Sequence, residues 1–506
     1  MAKVIMVQGT MSNSGKSFVT AGLCRIFKQD GYKVAPFKSQ NMANNSYITK
    51  DGKEMGRAQA MQAEACDIEP SVYMNPILLK PNSDMGSQVI ILGKVYGNMK
   101  ASEYFARKKS YVESIMHAYD ELSKEYDIIV VEGAGSPAEI NLMEDDIVNM
   151  GLAKMLDAPV LLVGDIDRGG VFASLFGTVK LLDPEDQARV KGLVINKFRG
   201  DIDILKPGIG MIEERLGIDV LGTIPMKYID IDDEDSLSSR LDDNKNKAIK
   251  AIDIAVIRFD HISNFTDFNA LSRIDSVSLR YVKRAEELKE PDIIILPGSK
   301  STISDLFKLR ESGLESRIMK LVDKGSMLIG ICGGFQMLGK YIVDEEGVEY
   351  KGRVEGMGLL DAYTKFGNEK SLNNTEYRLN TELDMCKDLK DTSVKGYEIH
   401  MGQTYSLGSD EHLLSDESVN EDSQRVLGLI NKKCLGTYLH GIFDNEEFTL
   451  SLLSSVARKK GVELKEDFVS ADDYKKAEYD KLAALVRNSL DMEKIYKILN
   501  KEDQKE

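Results

Sequence analysis

Short apolar runs that end on glycines and polar side chains, with helix-length segments between them, recur along this chain and constrain its fold more than any other feature. Val4 to Val7, Ile128 to Val131, Val160 to Val163 and Leu193 to Ile195 contain no polar residue. Each is therefore apolar toward both faces, as a strand inside a parallel sheet must be. The alternation from residue 3 to about 225 predicts a doubly wound α/β domain whose ligands gather at the C-terminal ends of the strands. A second alternating series, Asp253 to Phe259, Ser276 to Tyr281, Asp292 to Leu296 and Met327 to Ile331, predicts another such domain. At 506 residues the chain exceeds what one core usually serves. The expected division is 1–228, a polar linker at 229–250, a second domain at 251–445, and a helical extension at 446–506 packing on the second domain. In that extension Phe448, Leu452, Leu453, Val456, Leu482, Leu485 and Val486 fall at near-helical spacing.

The first strand runs into Gly9-Thr-Met-Ser-Asn-Ser-Gly-Lys-Ser17, and a helical pattern follows. This is a phosphate-binding loop in its proper setting, with one residue more between the glycines than the commonest form. Gly9 and Gly15 let backbone N–H groups curl around phosphate oxygens, Lys16 neutralises their charge, and Ser17 can ligate Mg²⁺. ATP and Mg²⁺ are the expected cofactors. Glu132 directly follows four apolar strand residues, a position that packing does not explain, because a buried carboxylate must be paired or metal-bound. It is expected to act as a direct or supporting Mg²⁺ carboxylate. Asn196 ends another strand on the same edge and is expected beside the nucleotide.

Between these lies Lys38-Ser-Gln-Asn-Met-Ala-Asn-Asn-Ser46, a row of amides and hydroxyls behind one cation. A solvated loop is the plain reading. Near the phosphate site, Lys38, Gln40, Asn41, Asn44 and Asn45 are instead candidates to bind an acceptor rich in carboxylates and amides. Asn75 to Pro81 shares that ambiguity.

In the second half, Met327-Leu-Ile-Gly-Ile-Cys-Gly-Gly-Phe-Gln-Met-Leu-Gly339 reads as strand, sharp turn, helix. That is a nucleophile elbow, with Cys332 exposed at the strand end and the helix dipole favouring its thiolate. Gly333 and Gly298, in Leu296-Pro-Gly-Ser-Lys-Ser301, could present the backbone N–H groups of an oxyanion hole. A catalytic thiol needs a base, and the chain has only 5 histidines. His440 ends an apolar strand before a glycine and is the candidate; His400 competes.

Composition narrows the partners. A net charge of −16 without a basic cluster argues against nucleic acid. The 5 cysteines, odd in number and without metal spacing, point to free thiols in a reducing cytosol, and no apolar window suggests a membrane span or leader. A cytoplasmic location follows as an expectation; oligomeric state is not legible.

Gly330-Ile-Cys-Gly-Gly-Phe-Gln336 with Tyr438-Leu-His-Gly441 resembles a class I glutamine amidotransferase domain. The Gly9 to Ser17 loop with Val131-Glu-Gly-Ala-Gly135 is similar to dethiobiotin-synthetase-like ATP-binding domains. Joined in this order they resemble the cobyrinic acid amidating enzymes. Within that group Lys38 to Ser46, Gly164-Asp-Ile-Asp-Arg-Gly-Gly170, Ile262-Ser-Asn-Phe-Thr-Asp-Phe268 and Gly396-Tyr-Glu-Ile-His-Met-Gly402 match the cobyric acid synthase branch. The resemblance implies L-glutamine as ammonia donor and a corrinoid acceptor, an adenosylated cobyrinic acid a,c-diamide amidated at its b, d, e and g carboxylates. It also implies a Cys332–His440 pair without a third member, since Ile442 stands where the wider class has glutamate. Rival readings are a cobyrinic acid a,c-diamide synthase, a nucleotide-switched partitioning-type ATPase and a non-catalytic regulator.

Overall fold

In the computed structural model, which describes residues 2–83, 86–231, 250–380, 389–408, 410–415, 425–464 and 470–502, the predicted apolar runs are strands. The chain forms two units. The first comprises Met1–Thr49, Lys53–Glu234 and Asp472–Glu506, and the second Lys50–Gly52 and Asp235–Ala471. Most of the predicted linker at 229–250 lies outside the described residues. Among the described residues no helix is long and apolar enough to cross a membrane.

The first unit is built on a parallel sheet in the order Val220–Pro225, Val190–Phe198, Val160–Asp165, Lys3–Gly9, Ile128–Glu132, Val34–Phe37. From Lys3–Gly9 the chain first fills one edge and later returns to fill the other. The crevice this leaves lies at the end of that strand, where the phosphate loop stands. Between the strand Val34–Phe37 and the helix Val112–Glu125 the chain forms a small sheet, Gln40–Met42, Ile77–Ser83, Gly86–Ile91 and Lys94–Lys100. Sequence reading did not anticipate it.

In the second unit the strands Val277–Val282, Ile252–Ile257, Ile293–Leu296, Met327–Ile331 and Cys434–Thr437 lie side by side and parallel. Gly428–Ile430 and Glu411–His412 extend this sheet antiparallel. A further sheet is organised on the long pair Ala362–Leu379 and Ser393–Ser406. The second strand of that pair alternates between buried and exposed residues along part of its length, a weaker sequence signal than an all-apolar run.

The C-terminal extension corrects the expected domain plan. Helix Glu446–Lys460 belongs to the second unit, and its Phe448, Leu452, Leu453 and Val456 join that core. Helices Ala471–Ser489 and Met492–Asn500 instead pack on the first unit. There Tyr479, Leu482, Val486, Ile495 and Leu499 share a core with Val7, Val19, Leu23 and Ile26. The approach is close: a Cβ on Gly22, in the helix Lys16–Gln29, would lie 2.6 Å from a Val486 methyl. An amphipathic stripe declares that a helix must be covered but not by what, so spacing alone misplaced this one. Replacing fully buried Leu482 with Ala is expected to destabilise the first unit by about 2–5 kcal/mol. Chemical denaturation monitored in that unit checks it, and a loss confined to the second unit would contradict the packing.

Candidate functional site

The three neighbouring strands Ile293–Leu296, Met327–Ile331 and Cys434–Thr437 bring Gly298, Cys332 and His440 to one sheet edge. Cys332 sits at φ 52°, ψ −107°, a left-handed conformation costing a non-glycine residue about 1–3 kcal/mol. The turn is held by the Cys332 N–H donating to the Thr437 carbonyl at 2.8 Å. Glycine is required beside it, because a Cβ on Gly334 would lie 2.0 Å from the Leu296 carbonyl oxygen. Gly333 and Gly298 lie against the same centre. A Cβ on Gly333 would be 3.0 Å from the Ser299 nitrogen, and one on Gly298 3.2 Å from His440 Cε1.

His440 is 1% exposed. Its Nδ1 donates to Asp267 Oδ2 at 2.6 Å, while Nε2 has no hydrogen-bond partner among the described residues. That bond fixes the tautomer in which Nε2 carries the free lone pair, the arrangement a general base needs. Tyr397 stacks on the imidazole at 5.0 Å and 13°, and its hydroxyl lies 3.5 Å from Asp267 Oδ1. Burial pulls the imidazole pKa down, but the Asp267 charge and hydrogen bond, with Cys332 adding to them, push it up to about 10. An imidazolium at this position is thus stabilised in place. His400, the competitor, has both ring nitrogens facing acceptors, Gly402 O at 2.6 Å and Glu398 Oε2 at 3.2 Å, and it stacks on Tyr438. Neither nitrogen is left to act as a base.

In the first unit, Gly15 stands at φ 101°, where a Cβ would collide with Asn196 Nδ2 at 1.9 Å. Asn196 donates instead to the Ser14 carbonyl at 2.9 Å, bracing the phosphate loop. Lys16 Nζ bridges the Met11 and Gly135 carbonyls at 3.0 Å each. Thr10 Oγ1 and Ser14 Oγ are buried without a hydrogen-bond partner among the described residues. Unmatched polar groups on a glycine-bearing loop at a helix N-terminus fit a phosphate ligand.

Glu132 is fully buried at the centre of a polar hub. Its Oε1 accepts from Ser17 Oγ and from Lys38 Nζ, each at 2.9 Å, and its Oε2 accepts from Gln62. Lys38, expected to face substrate, is 3% exposed and committed to this ion pair. The amide row is likewise turned inward. Asn41 is buried and donates to Gln59 Oε1 at 2.9 Å, Asn45 is 1% exposed, and Gln40 accepts from Tyr104 OH at 2.6 Å. Asn44 is half-buried, with Oδ1 unpartnered. Asn41 and Asn45 are thus held inside the unit, not solvated as the plain loop reading has them. Hydrophilic composition could not separate these outcomes, because buried amides and solvated ones read alike.

Two family models match the chain: a CobQ/CobB/MinD/ParA nucleotide binding domain over residues 5–238 and a CobB/CobQ-like glutamine amidotransferase domain over residues 253–448. The chain is 53% identical to the cobyric acid synthase of Lachnoclostridium phytofermentans, over 99% of both chains. It is 53% identical to that of Ruminiclostridium cellulolyticum, over 99% of this chain and 97% of the relative. The chain belongs to the cobyric acid synthase family.

For this member of the cobyric acid synthase family the expected dyad needs correction. Ile442 does stand where the wider class has glutamate, but Asp267 reaches His440 from another segment, Phe265–Phe268. The stretch Ile262 to Phe268 had drawn notice only through the family resemblance. Nothing in its spacing ties it to a histidine 173 positions away. Asp267→Asn is expected to lower glutamine hydrolysis by about 10²-fold or more at neutral pH, by losing the imidazolium's counter-charge and the tautomer it fixes. The alkaline limb of the pH profile should move to lower pH, because the His440 pKa falls once Asp267 no longer raises it. Unchanged kcat and limb would remove Asp267 from the relay.

Proposed function

We propose that this chain uses ATP and glutamine to amidate the b, d, e and g carboxylates of adenosylated cobyrinic acid a,c-diamide, yielding cobyric acid. The observation that carries this reading is a strained cysteine at the same sheet edge as an Asp267-held histidine, in one chain with a phosphate loop whose buried Thr10 and Ser14 hydroxyls have no hydrogen-bond partner among the described residues. Likeness to cobyric acid synthases over nearly the full length supports the acceptor.

The chemistry divides between the units. A carboxylate is inert to ammonia at neutral pH because its leaving group is oxide, and ATP supplies the missing activation as an acyl phosphate. Lys16 and the loop N–H groups hold the phosphates and neutralise charge, which is most of what phosphoryl transfer asks of a protein. Mg²⁺, when bound, would neutralise phosphate charge, and Ser17 would hold it through its oxygen, with Glu132, already paired with Lys38, orienting that hydroxyl. In the second unit His440 Nε2 takes the Cys332 proton, and the thiolate attacks the side-chain amide of glutamine. The oxyanion is met by the N–H groups of Gly298 and Gly333. His440 then protonates the departing ammonia, and water releases glutamate.

Cys332→Ala is expected to abolish amidation from glutamine and to keep amidation from ammonium salts, since the phosphate site is untouched. Mass spectrometry of the wild-type product made from the a,c-diamide should count four added amides. An enzyme that leaves the a,c-diamide unchanged and adds two amides to cobyrinic acid would instead be a cobyrinic acid a,c-diamide synthase. Glutamine-dependent activity surviving in Cys332→Ala would overturn the nucleophile.

A further inference from the structure

The small sheet of the first unit ends in a surface that the residues described so far leave unassigned. Strand Lys94–Lys100 and helix Ala101–Arg107 expose Val95, Tyr96 and Phe105, which are 44%, 55% and 43% exposed, and Met42 on the strand Gln40–Met42 is 56% exposed. Single exposed apolar residues are ordinary, but these are joined. Tyr96 meets Tyr111 edge-on at 6.3 Å, Tyr111 stacks on Tyr104 at 5.4 Å, and Tyr104 contacts Phe105 at 6.3 Å. Tyr104 OH donates to Gln40 at 2.6 Å, and Met42 lies two residues along that strand, on Gln40's face. Lys38, just ahead of Gln40, pairs with the carboxylate that Ser17 of the phosphate loop also contacts. The aromatic ladder thus ends on Gln40, two residues along the chain from the lysine of the Glu132 hub.

Charge singles out the same segment. In a chain of net charge −16, residues 86–111 carry Lys94, Lys100, Arg107, Lys108 and Lys109 against Glu103 alone. Lys109 is paired with Asp145, and Lys108 is buried beneath the Phe105 ring. Lys94, Lys100 and Arg107 are exposed, and no ion pair among the described residues engages their side chains. Aromatic faces flanked by exposed cations suit a broad, flat, conjugated ligand with several carboxylates on its rim. They are poorly suited to a neutral apolar partner, which would leave the cations buried and unpaired.

We propose that this surface is where the acceptor binds: the macrocycle lies against Tyr96, Phe105 and Met42, and its peripheral carboxylates are held by Lys94, Lys100 and Arg107. The inference rests on the corrinoid reading of the previous subsection. Cations at the rim would also favour an acceptor that still carries carboxylates over the fully amidated product, aiding release.

The test uses the full-length enzyme with adenosylcobyrinic acid a,c-diamide, ATP and glutamine. Two surface variants are compared with wild type, Tyr96→Ala/Phe105→Ala and Lys100→Glu/Arg107→Glu. Each is expected to raise the corrinoid KM about tenfold, equivalent to about 1.4 kcal/mol. The KM for ATP, the KM for glutamine and glutamine hydrolysis without corrinoid should stay at wild-type values. The charge variant should also lose the salt dependence of the corrinoid KM, which a merely structural role would not alter. Corrinoid KM values within twofold of wild type in both variants would overturn the proposed surface while leaving the activity standing. A wild-type enzyme that amidates no corrinoid would instead remove the functional reading beneath it.

Discussion

The contact between His440 and Asp267 is the constraint on which the second unit's chemistry depends. A thiol at the end of a strand becomes a nucleophile when a neighbouring base can accept its proton and hold the resulting positive charge. Burial alone would oppose that, since a desolvated imidazolium is costly, and the 1% exposure of His440 makes the cost large. The Asp267 carboxylate at 2.6 Å reverses the sign. It also consumes Nδ1, so that Nε2 is the nitrogen left to react. Tyr397 then limits ring rotation from the flat side and touches the other Asp267 oxygen. One hydrogen bond therefore sets tautomer, charge and orientation together.

The elbow is the other half of this arrangement, and it explains why the surrounding residues are so small. Three parallel strands deliver Gly298, Cys332 and His440 to one edge, but parallel neighbours stand only about 4.8 Å apart. Turning the chain back as a helix within that spacing brings Gly334 onto the Leu296 carbonyl, where a Cβ is forbidden, and Gly333 close to Ser299, where a Cβ would be tight. The strain at Cys332 persists because the sheet over-determines it: its own N–H is fixed by Thr437 on the adjacent strand.

What was legible in the sequence was local. The phosphate loop and the cysteine elbow each occupy a handful of consecutive residues, with a strand before and a helix after, so residue type and spacing specify them. Asp267 was not legible as a partner of His440, because the two meet only through the tertiary fold. The burial of the amide loop was hidden for another reason. Asn41 and Asn45 are polar enough for solvent or substrate, and only the small sheet formed beside them, with Gln59 facing Asn41, turns them inward. The terminal helices failed in a third way. Their apolar stripe was visible, but its complement lies in the helix that follows the phosphate loop, hundreds of residues earlier.

Glu132 shows how the first unit turns a costly group into a positional device. Removing a carboxylate and an ammonium from water costs about several kcal/mol per ion, and the attraction between Lys38 and Glu132 repays this only if the remaining polar atoms are also matched. Both carboxylate oxygens are: Ser17 occupies one together with Lys38, and Gln62 occupies the other, although Gln62 Oε1 itself has no partner among the described residues. Those three residues come from the phosphate-loop helix, the strand Val34–Phe37 as it leaves the sheet, and the helix Arg57–Ala65. A hydrophobic substitute would pack these elements without fixing their register, whereas donors converging on one carboxylate can be satisfied in few arrangements. The same buried pairing recurs below the small sheet, where Lys80 Nζ meets Glu54 at 2.7 Å and Ser46 at 3.1 Å. Buried charge thus ties the amide loop to the phosphate loop at one end and to the small sheet at the other, so a shift at either anchor is felt at both.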